Sequence, residues 1–287
     1  MRWTYSDGRS CRASATFEGK TLVANMGSAF RDGSVDVDGF RIRYQEAGEG
    51  PPLVHLHGAG GLRLTSVHDL LSCAFRVIAF EMPGFGAVEN QKTQTAQDLA
   101  MTMTAATEAL GLSRFNLIGT SFGGTIASWM AVQRRDLVAA LVLDAPSAIR
   151  PDGSEPVFGS PEEIARRLYA HPERVAPASA VEPALAARRL AIVRRLRGPG
   201  RDTMLEDGLR GLAMPALVLF GTRDRVIPPA MGRVYLELIP NAHLVFVYDA
   251  GHALMVERPE AFTEVVTDFL ERTDAFIISR TKTVIYP

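Results

Sequence analysis

Ser121 stands in the run Gly119-Thr120-Ser121-Phe122-Gly123-Gly124, directly after the apolar stretch Phe115-Asn116-Leu117-Ile118. The spacing is Gly-x-Ser-x-Gly, and its setting predicts a strand that turns sharply into a helix with the serine hydroxyl exposed at the bend. Glycines suit both flanks, because a Cβ at 119 or 123 would collide with the neighbouring strand or helix. A serine hydroxyl is a poor nucleophile until a base takes its proton, and the base needs a carboxylate to fix its tautomer and stabilise its cation. Both partners occur downstream. Asp224 follows the apolar run Ala216-Leu217-Val218-Leu219-Phe220, in the loop Gly221 to Pro228. His252 follows His243-Leu244-Val245-Phe246-Val247-Tyr248, at the end of Asp249-Ala250-Gly251-His252. Each of the three groups falls just past an expected strand, in the order serine, acid, histidine.

Other candidates compete for these roles. Asp144 also ends an expected strand and is the alternative acid. Asp249 lies only three residues before His252, which suits a turn better than a partner for the ring. His57 suits bracing of its loop, and Glu81 suits organising the Pro83-Gly84 turn. His55, His68, His171 and His243 show no metal-ligand spacing, so structural placement is expected for all four, with no metal and no cofactor. Phe122 and Met255 adjoin the candidate groups and can line a pocket.

The elements that position these residues alternate in type. Val35 to Gln45 reads as a hairpin turning at Asp38-Gly39. Strands then follow at 53–56, 76–80, 115–118 and 138–143, with helices near 64–72, 95–110 and 122–133. Continuous apolar strands separated by helices imply an α/β architecture, a mostly parallel sheet buried on both faces, with reactive groups at the carboxyl ends of the strands. Between Pro146 and Met214 the pattern breaks into proline-rich chain with short, arginine-rich helices near 162–169 and 184–197. This span reads as a helical cap inserted after the sixth strand. Arg188, Arg189, Arg194, Arg195 and Arg197 read mainly as its solvated face. The organisation expected is an N-terminal extension over 1–33, a core over 34–145 and 214–272, the cap over 146–213 and a tail over 273–287.

From Val35 to Arg272 the sequence resembles the α/β-hydrolase superfamily, in its branch of small single-domain enzymes with a late inserted lid. Besides Ser121, Asp224 and His252, the likeness rests on His57-Gly58-Ala59-Gly60-Gly61 after the strand 53–56. It also rests on Glu81-Met82-Pro83-Gly84-Phe85-Gly86 after the strand 76–80, and on Glu257-Arg258-Pro259-Glu260 opening the last helix. The resemblance implies the α/β-hydrolase fold, a Ser121–Asp224–His252 triad, and an oxyanion hole made by the backbone N–H groups of Ala59 and Phe122. A serine at the elbow argues against the family's dehalogenases and epoxide hydrolases, which carry aspartate there. Acyl transfer to water remains, as hydrolysis of a carboxylic ester of a small, largely apolar substrate. The alternative is carbon–carbon cleavage of vinylogous diketone ring-fission products. That group tends to have Pro after His-Gly-x-Gly and Trp after the histidine, where this chain has Gly61 and Ala253. A third reading, from another class, is a ligand-binding protein that has kept the fold without hydrolysis.

Composition sets the outer limits. With 287 residues, 47% hydrophobic and 22% charged, the chain suits one large globular domain with a small-molecule substrate. A net charge of −1 without basic blocks excludes a nucleic-acid or anionic-membrane partner, and no apolar run is long enough to span a bilayer. Cys11 and Cys73 fall in different segments, so both thiols are expected free and the cytoplasm is the expected compartment.

Overall fold

A computed structural model describes residues 30–176, 181–273, 276 and 284–285. Most of the expected N-terminal extension, and most of the tail, lie outside the described residues. The chain opens with β1 (Arg31–Val37) and β2 (Phe40–Ala47), antiparallel across a turn in which Asp38 and Gly39 have φ of 54° and 75°. Two successive positive φ values are what a two-residue hairpin with right-handed strand twist requires.

The strands that follow are β3 (Pro52–Leu56), β4 (Arg76–Phe80), β5 (Phe115–Thr120), β6 (Val138–Asp144), β7 (Ala216–Gly221), β8 (Ala242–Val247) and the two-residue β9 (Val284–Ile285). Among the described residues they form one sheet in the order β1-β2-β4-β3-β5-β6-β7-β8-β9. Only the β1–β2 and β2–β4 pairs are antiparallel. The mostly parallel sheet flanked by helices is the one the resemblance implies.

The inner strands are apolar throughout because each face is covered. Val54, Leu56, Leu141, Leu143, Val218 and Phe220 join one core with α2 (Ala96–Ala109), α3 (Phe122–Gln133) and α7 (Met231–Leu238). Their neighbours Leu53, Val142, Leu217 and Leu219 join a second core on the other face, with α1 (Ser66–Leu71) and α9 (Pro259–Arg272). The short helix α8 (Leu254–Glu257) lies between β8 and α9.

The insertion between β6 and β7 holds α4 (Pro161–Leu168), a 3-10 turn at Pro172–Arg174, α5 (Pro183–Leu196) and α6 (Thr203–Arg210). α6 lies within the span 146–213 that the sequence reads as a cap. Leu205 and Leu209 place it in the core beside α3, where Gly208 lets Val132 approach. Cys73, in the turn after α1, is disulfide-bonded, which corrects the expectation of free thiols. Separation along the chain does not measure separation in the fold, and the cysteine argument for a reducing compartment falls with it. No helix among the described residues is long and apolar enough to cross a membrane.

Hydrogen bonds rather than apolar packing fix the insertion to the loop after β8. Glu257 Oε1 accepts from the backbone N–H of Ala170 at 2.7 Å and of His171 at 3.3 Å, and Oε2 accepts from Gly251 at 2.7 Å. His171 Nε2 lies 2.8 Å from Asp249 Oδ2, and Arg258 donates to the Asp249 carbonyl at 2.9 Å. One carboxylate thus bridges two chain segments that no apolar cluster joins. Glu257→Gln puts an amide N–H₂ against these donors, and charge-assisted bonds of this kind contribute about 1.5–3 kcal/mol each. A fall in Tm of about 3–10 °C, with faster proteolysis of the 161–182 segment, is expected. An unchanged melting curve and digestion pattern would refute the clasp.

Candidate active site

β5 delivers Ser121 to the carboxyl edge of the sheet, and the chain reverses there into α3. Ser121 has φ 52° and ψ −113°, a conformation that costs a non-glycine residue about 1–3 kcal/mol. Three backbone bonds hold it: Ser121 N–H to Asp144 O at 2.8 Å, and Gly124 and Ser147 N–H to Ser121 O at 2.9 and 3.0 Å. The flanking glycines are sterically required. A Cβ on Gly123 would lie 2.1 Å from Leu56 O, and one on Gly119 would lie 2.5 Å from the Ala127 Cβ.

The sheet brings the two sequence-expected partners to this serine. His252 Nε2 is 2.9 Å from Ser121 Oγ, and His252 Nδ1 is 2.8 Å from Asp224 Oδ2. The other Asp224 oxygen accepts from Val226 and Ile227 N–H at 2.8 and 2.9 Å, which fixes the carboxylate in the loop after β7. A carboxylate only accepts, so the ring proton sits on Nδ1 and Nε2 is left to take the serine hydrogen. The His252 backbone N–H is held by Leu168 O at 2.7 Å, from the end of α4. His252 and Asp224 are 5% and 7% exposed. Burial opposes charging of His252, but the charge and hydrogen bond of Asp224, with the charge of Asp144, outweigh it and raise the ring's pKa above the usual histidine value.

The loop after β3 passes close to the serine. A Cβ on Gly58 would lie 3.3 Å from Ser121 Cβ. His57 Nε2 accepts from Met82 N–H at 3.1 Å, so its Nδ1 carries the proton and donates to Gly58 O at 2.7 Å. Burial lowers the His57 pKa to about 4, so the ring is a neutral brace, as the sequence suggests. Phe122 N–H is the first of α3 and has no acceptor within its own helix. Among the described residues neither it nor Ala59 N–H donates a backbone hydrogen bond. Both expected oxyanion donors therefore sit on segments that touch Ser121, with their hydrogen bonds to give.

The remaining candidates take structural places. Asp144 ends β6 and is fully buried, but its side chain bonds Thr120 Oγ1 at 3.0 Å and not His252. Asp249, with φ 54°, makes the expected turn and also pairs with Arg223 at 2.9 Å. Glu81 fills the space that a side chain at Gly86 would need. Met255 Sδ lies 3.7 Å from Thr120 Oγ1. Among the described residues no group of three or more His, Cys, Asp or Glu is placed to hold a metal ion.

The sequence missed the work of the α5 arginines. Arg189 donates to Phe85 O at 2.7 Å and to Gly60 O, and Arg188 donates to Gly86 O. The face expected to be solvated instead grips both loops beside the site. A helical spacing of charges carries no signal of a carbonyl brought up by a distant loop.

A family model described as the alpha/beta hydrolase family matches residues 53–265. A 2-hydroxymuconate semialdehyde hydrolase of Pseudomonas putida is 28% identical over 261 residues, which is 83% of this chain and 93% of that one. An esterase of Rhodococcus sp. ECU1013 superposes with a TM-score of 0.67 at 27% identity, over 86% of this chain and 100% of its own. A meta-cleavage product hydrolase of Pseudomonas fluorescens IP01 gives 0.74 at 21% identity, over 86% and 98%, a likeness of fold. With the match spanning the sheet from β3 to α9 and every segment that carries the candidate residues, this chain belongs to the alpha/beta hydrolase family.

Proposed function

We propose that this hydrolase works through an acyl-enzyme on Ser121, with His252 as general base and then general acid, Asp224 as its orienting carboxylate, and Ala59 and Phe122 N–H as the oxyanion hole. The observation that carries the reading is the unbroken contact from Ser121 Oγ through the His252 ring to Asp224, at 2.9 and 2.8 Å. As Ser121 Oγ bonds the substrate carbonyl carbon, its proton passes to His252 Nε2 and the negative charge on the carbonyl oxygen falls to the two backbone donors. The imidazolium returns the proton to the leaving group. A water activated by the same ring then releases the acid and restores the serine.

The substrate proposed is a carboxylic ester of a small, largely apolar acid, with the α4–α5 part of the insertion as the cap over it. Support comes from the apolar surroundings: Phe85 and Phe122 rings stand 5.5 Å apart, and Ile192 of α5 packs over Gly84. Carbon–carbon cleavage of a ring-fission product is the second reading, favoured by the likeness to the 2-hydroxymuconate semialdehyde hydrolase. Against it, Gly61 has φ 85°, which a proline ring cannot adopt. The loop path therefore departs from the Pro-bearing pattern of that group.

Two measurements test this. Across a panel of p-nitrophenyl esters of graded acyl length, run beside a ring-fission dienoate, turnover of short or medium esters well above the dienoate is expected. The reverse preference would select the second reading. In the second, Ser121→Ala is expected to lower kcat by about 10⁴ or more, and Asp224→Asn by about 10⁴, while Asp144→Asn costs no more than about tenfold. Parent-like turnover in Ser121→Ala would refute the nucleophile, and a larger loss at Asp144 than at Asp224 would refute the acid.

A further inference from the structure

Asp144 is a buried carboxyl for which the proposed mechanism has no task. It ends β6 between the strands that deliver Ser121 and Asp224, and its Oδ1 is buried without a hydrogen-bond partner. Its Oδ2 meets Thr120 Oγ1 at 3.0 Å, and the proton directions behind that bond are set from the far end of a relay. Thr65 backbone N–H donates to His68 Nδ1 at 3.0 Å, so neutral His68 carries its proton on Nε2. That nitrogen faces His55 Nδ1 at 3.0 Å, which leaves the His55 proton on Nε2, 3.1 Å from Thr120 Oγ1. With its oxygen accepting from His55, the threonine hydroxyl has its own hydrogen to give, and Asp144 Oδ2 receives it.

The relay keeps this polarity because both rings are neutral. Burial lowers the His68 pKa to about 4 and, with the neighbouring His68 and His57, drives that of His55 well down. Burial raises the Asp144 pKa to about 7, against the Thr120 hydrogen bond and His252 and with a push from Asp224. Asp144 therefore changes charge in the neutral range. The groups that act on Asp144 and His252 are each other, Asp224 after β7, Arg167 of α4 on His252, and Thr120 on Asp144, with neutral His55 behind Thr120.

We propose that Asp144 is a positioning residue: a second carboxylate that supports the His252 imidazolium across space without touching it, kept in an acceptor role by the relay from Thr65 through His68, His55 and Thr120. This rests on the reading of Ser121, His252 and Asp224 as the reacting set. Above about pH 7 the ionised Asp144 adds its field to that of Asp224 and favours the cation formed as Ser121 loses its proton. Below that, protonation removes the support, so the acid limb of reactivity contains two coupled steps that belong to the pair.

The experiment measures fluorophosphonate labelling of Ser121 in the full chain from about pH 5 to about pH 9, beside an NMR titration of the His252 ring that needs no turnover. Asp144→Asn is expected to label about three- to tenfold more slowly than the parent at about pH 8, within about twofold at about pH 5, with one step and a lower His252 midpoint. Thr120→Val should move the upper step to higher pH, and Thr120→Ser should keep the parent profile. A parent-like profile in Asp144→Asn, an equal loss at every pH, or an unmoved His252 midpoint overturns the proposal. If Asp144→Asn does not fold, the Thr120 pair decides: identical profiles for valine and serine overturn it. Failure of the parent itself to label, with the His252 midpoint still shifting in Asp144→Asn, would overturn the nucleophile and leave the coupling supported.

Discussion

The backbone turn at Ser121 is the constraint on which the site depends. Its φ of 52° and ψ of −113° turn the chain from β5 into α3 at the residue that carries the hydroxyl, with Phe122 N–H the first of the helix. The strain is small beside what holds it: bonds to Asp144, Ser147 and Gly124, and a helix drawn in until Gly123 meets the carbonyls of β3. That close approach also sets the positive end of α3 beside Ser121, where partial charge on the first N–H groups favours an anion.

Parallel pairing does the rest of the positioning. Thr120 lies beside Asp144, Asp144 beside Leu219, and Gly221 beside Val247, so β5 to β8 end at a common level. Residues just past those ends meet although 131 positions separate Ser121 from His252. Both sheet faces are filled by helices, which leaves the carboxyl edge as the place where polar side chains gather. The insertion sits on that edge through directed bonds. Glu257 ties it to the His252 loop, and Arg188 and Arg189 tie it to the loops after β3 and β4. Ile192, Val193 and Leu196 of α5 and Leu205 and Leu209 of α6 add apolar packing against the core that holds α2 and α3, so these bonds orient a span the core also anchors.

What the sequence made legible was local. Continuous apolar runs marked the strands to within a residue or two, and α3 begins at Phe122 as expected, because burial on both faces leaves an unmistakable pattern. Ser121, Asp224 and His252 were legible for a related reason: each lies in the short stretch that leaves the carboxyl end of a strand. Tertiary roles left no such trace. Nothing near His55 or His68 announces that they meet, since the contact needs α1 to fold back over β3. Glu257 was visible as the start of a helix, but its hold on Ala170, His171 and Gly251 comes from another segment. Leu205 and Leu209 fit a cap helix or a core helix equally well until the packing decides. Cys73 shows the same limit for a covalent bond.

Two aspartates at adjacent strand ends show how surroundings divide one chemistry into two roles. Asp224 has every oxygen engaged, by two backbone N–H groups and the His252 ring, and so stays fixed in place beside its partner. Asp144 has one hydroxyl donor on one oxygen and none on the other, and desolvation lifts its pKa to about 7. Attraction between a carboxylate and an imidazolium falls with distance and dielectric, but burial keeps water from screening it. Contact gives Asp224 the power to select a tautomer. Distance leaves Asp144 only its field, which in the proposed mechanism tunes how readily the buried ring takes the serine's proton.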